Sequence, residues 1–139
     1  MRQYEKRLHP PRAGFAVKYE KPMTILHVIT TIDRGGAENH LLELIRGQVH
    51  RGHSVCVAYL KGGGYWRGTF ESLGVAVYPL RLRRYGDPVP VARLIRVIGE
   101  VRPGVIHSHM PPADLYTRMA LSAADGGIAF VSTKHNDEP

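Results

Sequence analysis

Thr24-Ile25-Leu26-His27-Val28-Ile29-Thr30-Thr31, followed by Asp33-Arg34-Gly35-Gly36-Ala37-Glu38, decides how this chain is read. The first stretch is short, apolar and rich in β-branched residues, the mark of a strand buried on both faces. The second is turn chemistry that runs into a helix. Leu41, Leu44, Ile45 and Val49 fall at i, i+3, i+4 and i+8 and make one apolar stripe, which predicts a helix from about Ala37 to Arg51. Glu38 and Glu43 precede Arg46 and Arg51, the charge order that a helix dipole favours. Gly52 stands where a glycine ends such a helix.

The same alternation continues downstream. Ser54–Leu60 reads as a second strand, Lys61–Tyr65 as a loop, Gly68–Leu73 as a short helix and Val75–Leu80 as a third strand. Val91, Leu94, Ile95, Ile98 and Val101 form a second helical stripe, broken by Pro103-Gly104. Val105–His109 is a fourth strand, Pro111 and Pro112 open a helix that runs to about Ala124, and Asp125-Gly126-Gly127 turns the chain into a fifth strand, Ile128–Thr133. Strands that alternate with helices over short connections require a parallel sheet with helices on both faces. The fold class is therefore α/β: a Rossmann-like doubly wound parallel sheet.

The chain has 139 residues, 43% apolar and 22% charged, which describes an ordinary folded domain and excludes disorder along its whole length. The formal charge of +7 is uneven, because residues 1–22 hold six Lys or Arg against two Glu. Those residues, with Pro10 and Pro11, are expected to form a flexible basic tail, and residues 23–139 the domain. Met23 is an alternative first residue. The lone Cys56 excludes an internal disulfide and suits a mid-strand core position. No apolar run approaches the roughly 18–20 residues of a membrane span, and no apolar segment of a signal peptide follows the basic start. A cytoplasmic protein is expected.

In a doubly wound sheet, ligands bind beyond the carboxyl ends of the strands, where the strand order reverses. The turn Asp33–Glu38 belongs there. Gly35 and Gly36 let a ligand approach the backbone, and the helix behind them offers free N–H groups and a positive dipole end. The residues allow two readings, a diphosphate or anionic acceptor at Gly35 and Gly36 or a tight turn without a ligand. The turn is neither G-x-G-x-x-G nor a P-loop. Gly62-Gly63-Gly64 reads as a mobile, linker-like loop. Of eight histidines, His107 and His109 share one face of the fourth strand, and His109 closes that strand at the ligand edge. His135 ends the fifth strand at the same edge. His27 and His53 read as structural. The two further ligands of a zinc site are missing, so no metal is expected.

Five segments together resemble the N-terminal domain of family-four, GT-B fold retaining glycosyltransferases. They are Thr24–Thr31 with Gly35-Gly36-Ala37-Glu38; Leu41-Leu42-Glu43-Leu44; Arg51-Gly52-His53-Ser54-Val55; Arg102-Pro103-Gly104-Val105-Ile106-His107-Ser108-His109; and Val131-Ser132-Thr133-Lys134-His135-Asn136. The resemblance covers about residues 23–136. It implies transfer of a sugar from a nucleotide-diphosphate donor to an acceptor hydroxyl, with retention and without a cofactor or essential metal. It places Gly35 and Gly36 at the donor diphosphate or acceptor, His109 at the donor sugar as the catalytic histidine, and His135 at the cleft. The family's C-terminal domain, which binds the nucleotide, is not encoded before Pro139, and the N-terminal domain looks cut short. The expectation is a truncated acceptor-side domain, inactive alone, that needs its C-terminal domain or a partner half. The acceptor is a glycan, a lipid-linked molecule or a small molecule.

Other readings follow from other features. A free-standing sugar- or acceptor-binding module could pair with a separate catalytic half. A dinucleotide enzyme lacks its fingerprint, and Leu60-Lys61 stands where it needs an acidic residue. A nucleic-acid partner is not expected, because the part beyond the tail is weakly charged and shows no interleaving of basic and aromatic residues. Arg81, Arg83, Arg84, Arg93 and Arg96 are a distinct basic cluster, expected to give peripheral contact with the inner membrane face.

Overall fold

A computed structural model describes residues 21–124 and 126–133. The expected tail and His135 lie, apart from Lys21 and Pro22, outside those residues. Five strands run in chain order, β1 Thr24–Ile29, β2 Ser54–Tyr59, β3 Ala76–Pro79, β4 Val105–His109 and β5 Ala129–Thr133. Between them lie α1 Gly36–His50, α2 Arg67–Ser72, α3 Val89–Val101 and α4 Pro111–Leu121. All four strand pairings are parallel, and the order across the sheet is β3-β2-β1-β4-β5. The expected Rossmann-like fold is present. Every expected element is present, with ends shifted by a few residues.

Strand alternation sorts the core into two layers. Leu26, Val28, Cys56, Ala58 and Ile106 pack against Leu94, Val97 and Ile98 of α3 and Ala113, Tyr116 and Ala120 of α4. Ile29, Val55, Val57, Tyr59 and Val77 pack against Leu41, Leu42 and Ile45 of α1 and Phe70 of α2. Cys56 sits in the first layer, and burial pushes its thiol up, as for a small core residue.

Right-handed crossovers put α1 and α2 on one face and α3 and α4 on the other. The chain reverses direction across the sheet between β1 and β4, which lie side by side, with Ile29 opposite His109 in register. Gly52 has φ +92°, and two backbone bonds, Gly52 N to Val49 O and His53 N to Gln48 O, close the end of α1 as a Schellman motif. That closure fixes the last turn of α1, which carries Gln48 into the core. No helix among the described residues is long and apolar enough to cross a membrane.

Candidate functional site

The carboxyl ends of β1 and β4 meet at one point of the sheet. After β1 the chain passes through Thr30 and Thr31 into the turn Asp33–Gly35, and α1 begins at Gly36. The turn is held from two sides. Asp33 accepts backbone hydrogen bonds from Gly63 (3.1 Å) and Tyr65 (3.0 Å), which join it to the loop after β2. The Tyr65 bond leads in holding the Asp33 carboxyl below its ordinary range. Arg34 donates to the Tyr65 hydroxyl at 2.9 Å and lies over its ring. The expectation of a mobile Gly62–Gly64 loop is therefore corrected. Gly62 and Gly64 adopt φ +99° and +75°, and a Cβ on Gly62 would run into Asp33 Oδ2. These glycines are needed for a pinned two-loop contact.

Gly35 and Gly36 do different things. A Cβ on Gly35 would run into Glu38 Oε1, whereas a Cβ on Gly36 would meet nothing within 4 Å. Glu38 is buried, and its Oε2 accepts from Thr31 Oγ1 at 2.5 Å. A carboxylate thus already occupies the first turn of α1, where the dipole favours negative charge. Gly36 is the open position. Beside it, at the end of β1, Thr30 carries a buried hydroxyl with no hydrogen-bond partner among the described residues. Sequence patterning missed Thr30, because an apolar strand shows no sign of where one hydroxyl will be buried.

His109 lies at the end of β4 on the α1 side of the sheet, together with His107 and His27. His27 Nδ1 is 3.0 Å from His109 Nε2, and His27 Nε2 is 2.8 Å from Gln48 Oε1. His107 Nε2 is 2.5 Å from Thr133 Oγ1 of β5. Burial lowers the pKa of His27 from 6.5 to about 4, against a smaller upward pull from Gln48, so the ring is neutral at pH 7. His27 was expected to be structural. It is the partner of His109, and the register that sets His27 opposite His107 is the reason. Gln48 was missed too, since helix spacing alone does not show which polar residue turns inward.

The three rings bring one nitrogen each within 4.8 Å of one another. His107 stacks on His109 with centroids 4.0 Å apart and planes 28° apart. Imidazole lone pairs lie in the ring plane, so two stacked rings do not aim them at one ion. The contacts His27–His109, His27–Gln48 and His107–Thr133 make it a hydrogen-bonded cluster.

The family model for Glycosyltransferase Family 4 matches residues 34–139, from the glycine turn to the end of the chain. The chain belongs to glycosyltransferase family 4. Its fold is similar to that of a glycosyltransferase from Rickettsia africae ESF-5, with TM-score 0.64 and 14% identity over 81% of this chain and 29% of that one. It is also similar to the glycotransferase of kitacinnamycin, with TM-score 0.60 and 23% identity over 82% of this chain and 30% of that one. The chain thus spans less than a third of the length of either structure. No curated relative matches it.

In this family-4 domain, Gly35, Gly36 and His109 lie at one edge of the sheet, at adjacent strand ends. Of the basic cluster, Arg81, Arg83, Arg84 and Arg93 line one cavity after β3, and Arg96 is not part of its lining.

Proposed function

We propose that this chain is the acceptor-side domain of a retaining glycosyltransferase that uses a nucleotide-diphosphate sugar and an acceptor hydroxyl. The observation that carries the reading is the placement of Gly36, at the start of α1, and His109, at the end of β4, at the switch point where β1 and β4 lie side by side. An open helix start and a hydrogen-bonding imidazole ring at one sheet edge suit a diphosphate and a sugar hydroxyl side by side. Glycosyl transfer needs the leaving diphosphate to be held and its charge stabilised. One face of a cleft supplies part of that clamp, so this domain alone binds donor weakly and does not turn over. The nucleotide contacts belong to a C-terminal domain or a partner half.

A labelled sample of the full 139-residue chain tests this. UDP-, GDP- and ADP-sugars are titrated while the Gly35 and Gly36 amides and the His109 ring are followed by NMR. Saturable shifts at both places with at least one donor, lost in Gly36→Val, are expected. If no nucleotide sugar moves either place, the reading fails.

A further inference from the structure

The run Arg81-Leu82-Arg83 follows β3. Leu82 is buried in the core, and its N–H donates to Leu60 O at 2.7 Å. Arg81 and Arg83 on either side of it are exposed. The loop is fixed further on as well, because Gly86 N donates to the Tyr116 hydroxyl at 3.2 Å and Arg93 Nη1 to Leu80 O at 2.8 Å. Arg81 is held at φ +57°, a conformation that costs a non-glycine residue strain. The result is a cavity of about 680 Å³ lined by Arg81, Arg83, Arg84, Asp87 and Arg93. That volume is the size of a small-molecule site.

The charges in it are unbalanced. Among the described residues the ion pairs are Glu43–Arg46, Glu71–Arg67 and Asp114–Arg118, and none uses a cavity arginine. Asp87 is the one acid of the lining, and it is engaged by backbone, accepting from Val89 N at 3.0 Å and Arg83 N at 3.3 Å. Four arginines line the cavity with one carboxylate, whose charge already interacts with Arg83 and Arg93, so the lining keeps an excess of three positive charges. A ligand carboxylate would leave the cavity strongly basic, whereas a phosphomonoester or diphosphate carries about two charges or more and matches the paired donors of arginine. Arg81 and Arg83 also line an adjoining depression of about 360 Å³ with Lys61 and Gly62. That depression leads toward the loop pinned to the glycine turn.

We propose that the cavity after β3 is a phosphate-recognition subsite for a phosphorylated acceptor, which it holds at the end away from the reacting hydroxyl. The proposal rests on the transferase reading for the word acceptor. The anion chemistry rests on the arginines alone. The phosphate comes from a lipid headgroup or from a soluble phosphorylated molecule.

The test is a titration of the labelled full chain with inorganic pyrophosphate, followed at the Arg84 and Gly86 amides. Saturable shifts are expected. The Arg81→Ala/Arg84→Ala pair, both exposed, should weaken binding by about tenfold, and the Arg46→Ala/Arg51→Ala pair, in α1 and just after it, should not. Vesicles then separate the two sources. Pelleting with phosphatidic acid above phosphatidylglycerol, reversed by pyrophosphate, assigns the site to a lipid phosphate. Pyrophosphate binding with neither vesicle pelleted assigns it to a soluble one. The proposal is overturned if pyrophosphate leaves Arg84 and Gly86 unmoved, if both variant pairs lose binding equally, or if both vesicles pellet alike without competition. Gly35 and Gly36 report on the transferase reading separately in the same spectra. Donor shifts there with a silent Arg84 sink this proposal alone.

Discussion

His27 Nδ1 lies 3.0 Å from His109 Nε2, across 82 positions of chain, and the far nitrogen of His27 lies 2.8 Å from the Gln48 carbonyl oxygen. That oxygen only accepts, so His27 carries its proton on Nε2. Its Nδ1 is then an acceptor, and His109 donates to it from Nε2. The His109 ring must therefore carry a proton on Nε2. The last turn of α1 thus fixes which nitrogen of a ring at the end of β4 donates to His27.

Gln48→Leu tests the relay. Loss of the acceptor leaves a buried imidazole N–H unpaired, which costs about 1–3 kcal/mol. Long-range ¹H–¹⁵N spectra at pH 7 should show a proton on Nε2 of both rings in the wild type and a change at His27 in the variant. In urea unfolding, His27→Leu and Gln48→Leu combined should cost less than the two separately. Strict additivity would contradict the coupling.

The same burial makes stability depend on pH. The folded pKa of His27 is about 4, against 6.5 in the unfolded chain. Between those values the unfolded state binds a proton that the folded state does not. This contribution is complete above the unfolded pKa, falls as pH drops through the window, and is gone near pH 4. The shift corresponds to a loss on the order of 3 kcal/mol. Asp33 and Asp87, whose pKa values are lowered by backbone hydrogen bonds, lose their contributions below the ordinary value of 3.8 and leave the window clear. Urea midpoints at pH 7, 6 and 5 should fall in the wild type and fall less in His27→Leu. Equal slopes in both would remove His27 as the cause.

The fold was legible because each strand is a short apolar run and each long helix shows one stripe, and both are local signals. Gly35, Gly36 and His109 were legible because strand ends in such a sheet share one edge. What depended on distant pairing was not. His27 reads as one more residue in a buried strand until the β1–β4 register puts it beside His107. The Gly62–Gly64 run reads as slack chain until Asp33, about 30 residues earlier, accepts from the N–H of Gly63 and of the following Tyr65. The arginines after β3 read as a basic face, but the left-handed conformation of Arg81 and the anchoring of Leu82 fold them around a cavity.

The two glycines of the turn should respond differently to alanine. Gly35→Ala must displace a buried, hydrogen-bonded Glu38 carboxylate, an overpacking cost of about 1–2 kcal/mol. Gly36→Ala adds a methyl group to open space at the first position of a helix, so its effect should lie between neutral and about 1 kcal/mol stabilising. Thermal unfolding separates them. Nucleotide-sugar shifts should shrink in Gly36→Ala although the protein is no less stable, because the new methyl group takes the space a diphosphate would use. An equal loss of stability in both variants would mean that the turn has one packing role.

On the proposed reading, Glu38 opposes anion binding at that turn. Its carboxylate sits in the first turn of α1, held by Thr31, and any diphosphate that approaches Gly36 meets the same dipole end and is repelled by it. Glu38→Gln keeps the shape and an acceptor oxygen for Thr31 but removes the charge. Two unit charges about 5 Å apart near a protein surface interact by about 3 kcal/mol at an effective dielectric of 20, and solvent and salt leave only part of that. Pyrophosphate should therefore bind Gly36 several-fold more tightly in Glu38→Gln than in the wild type, with the gain shrinking as salt rises. Shifts of the Gly36 amide at two salt concentrations measure both effects. An affinity that falls in Glu38→Gln would show that the carboxylate organises the turn for its ligand rather than competing with it.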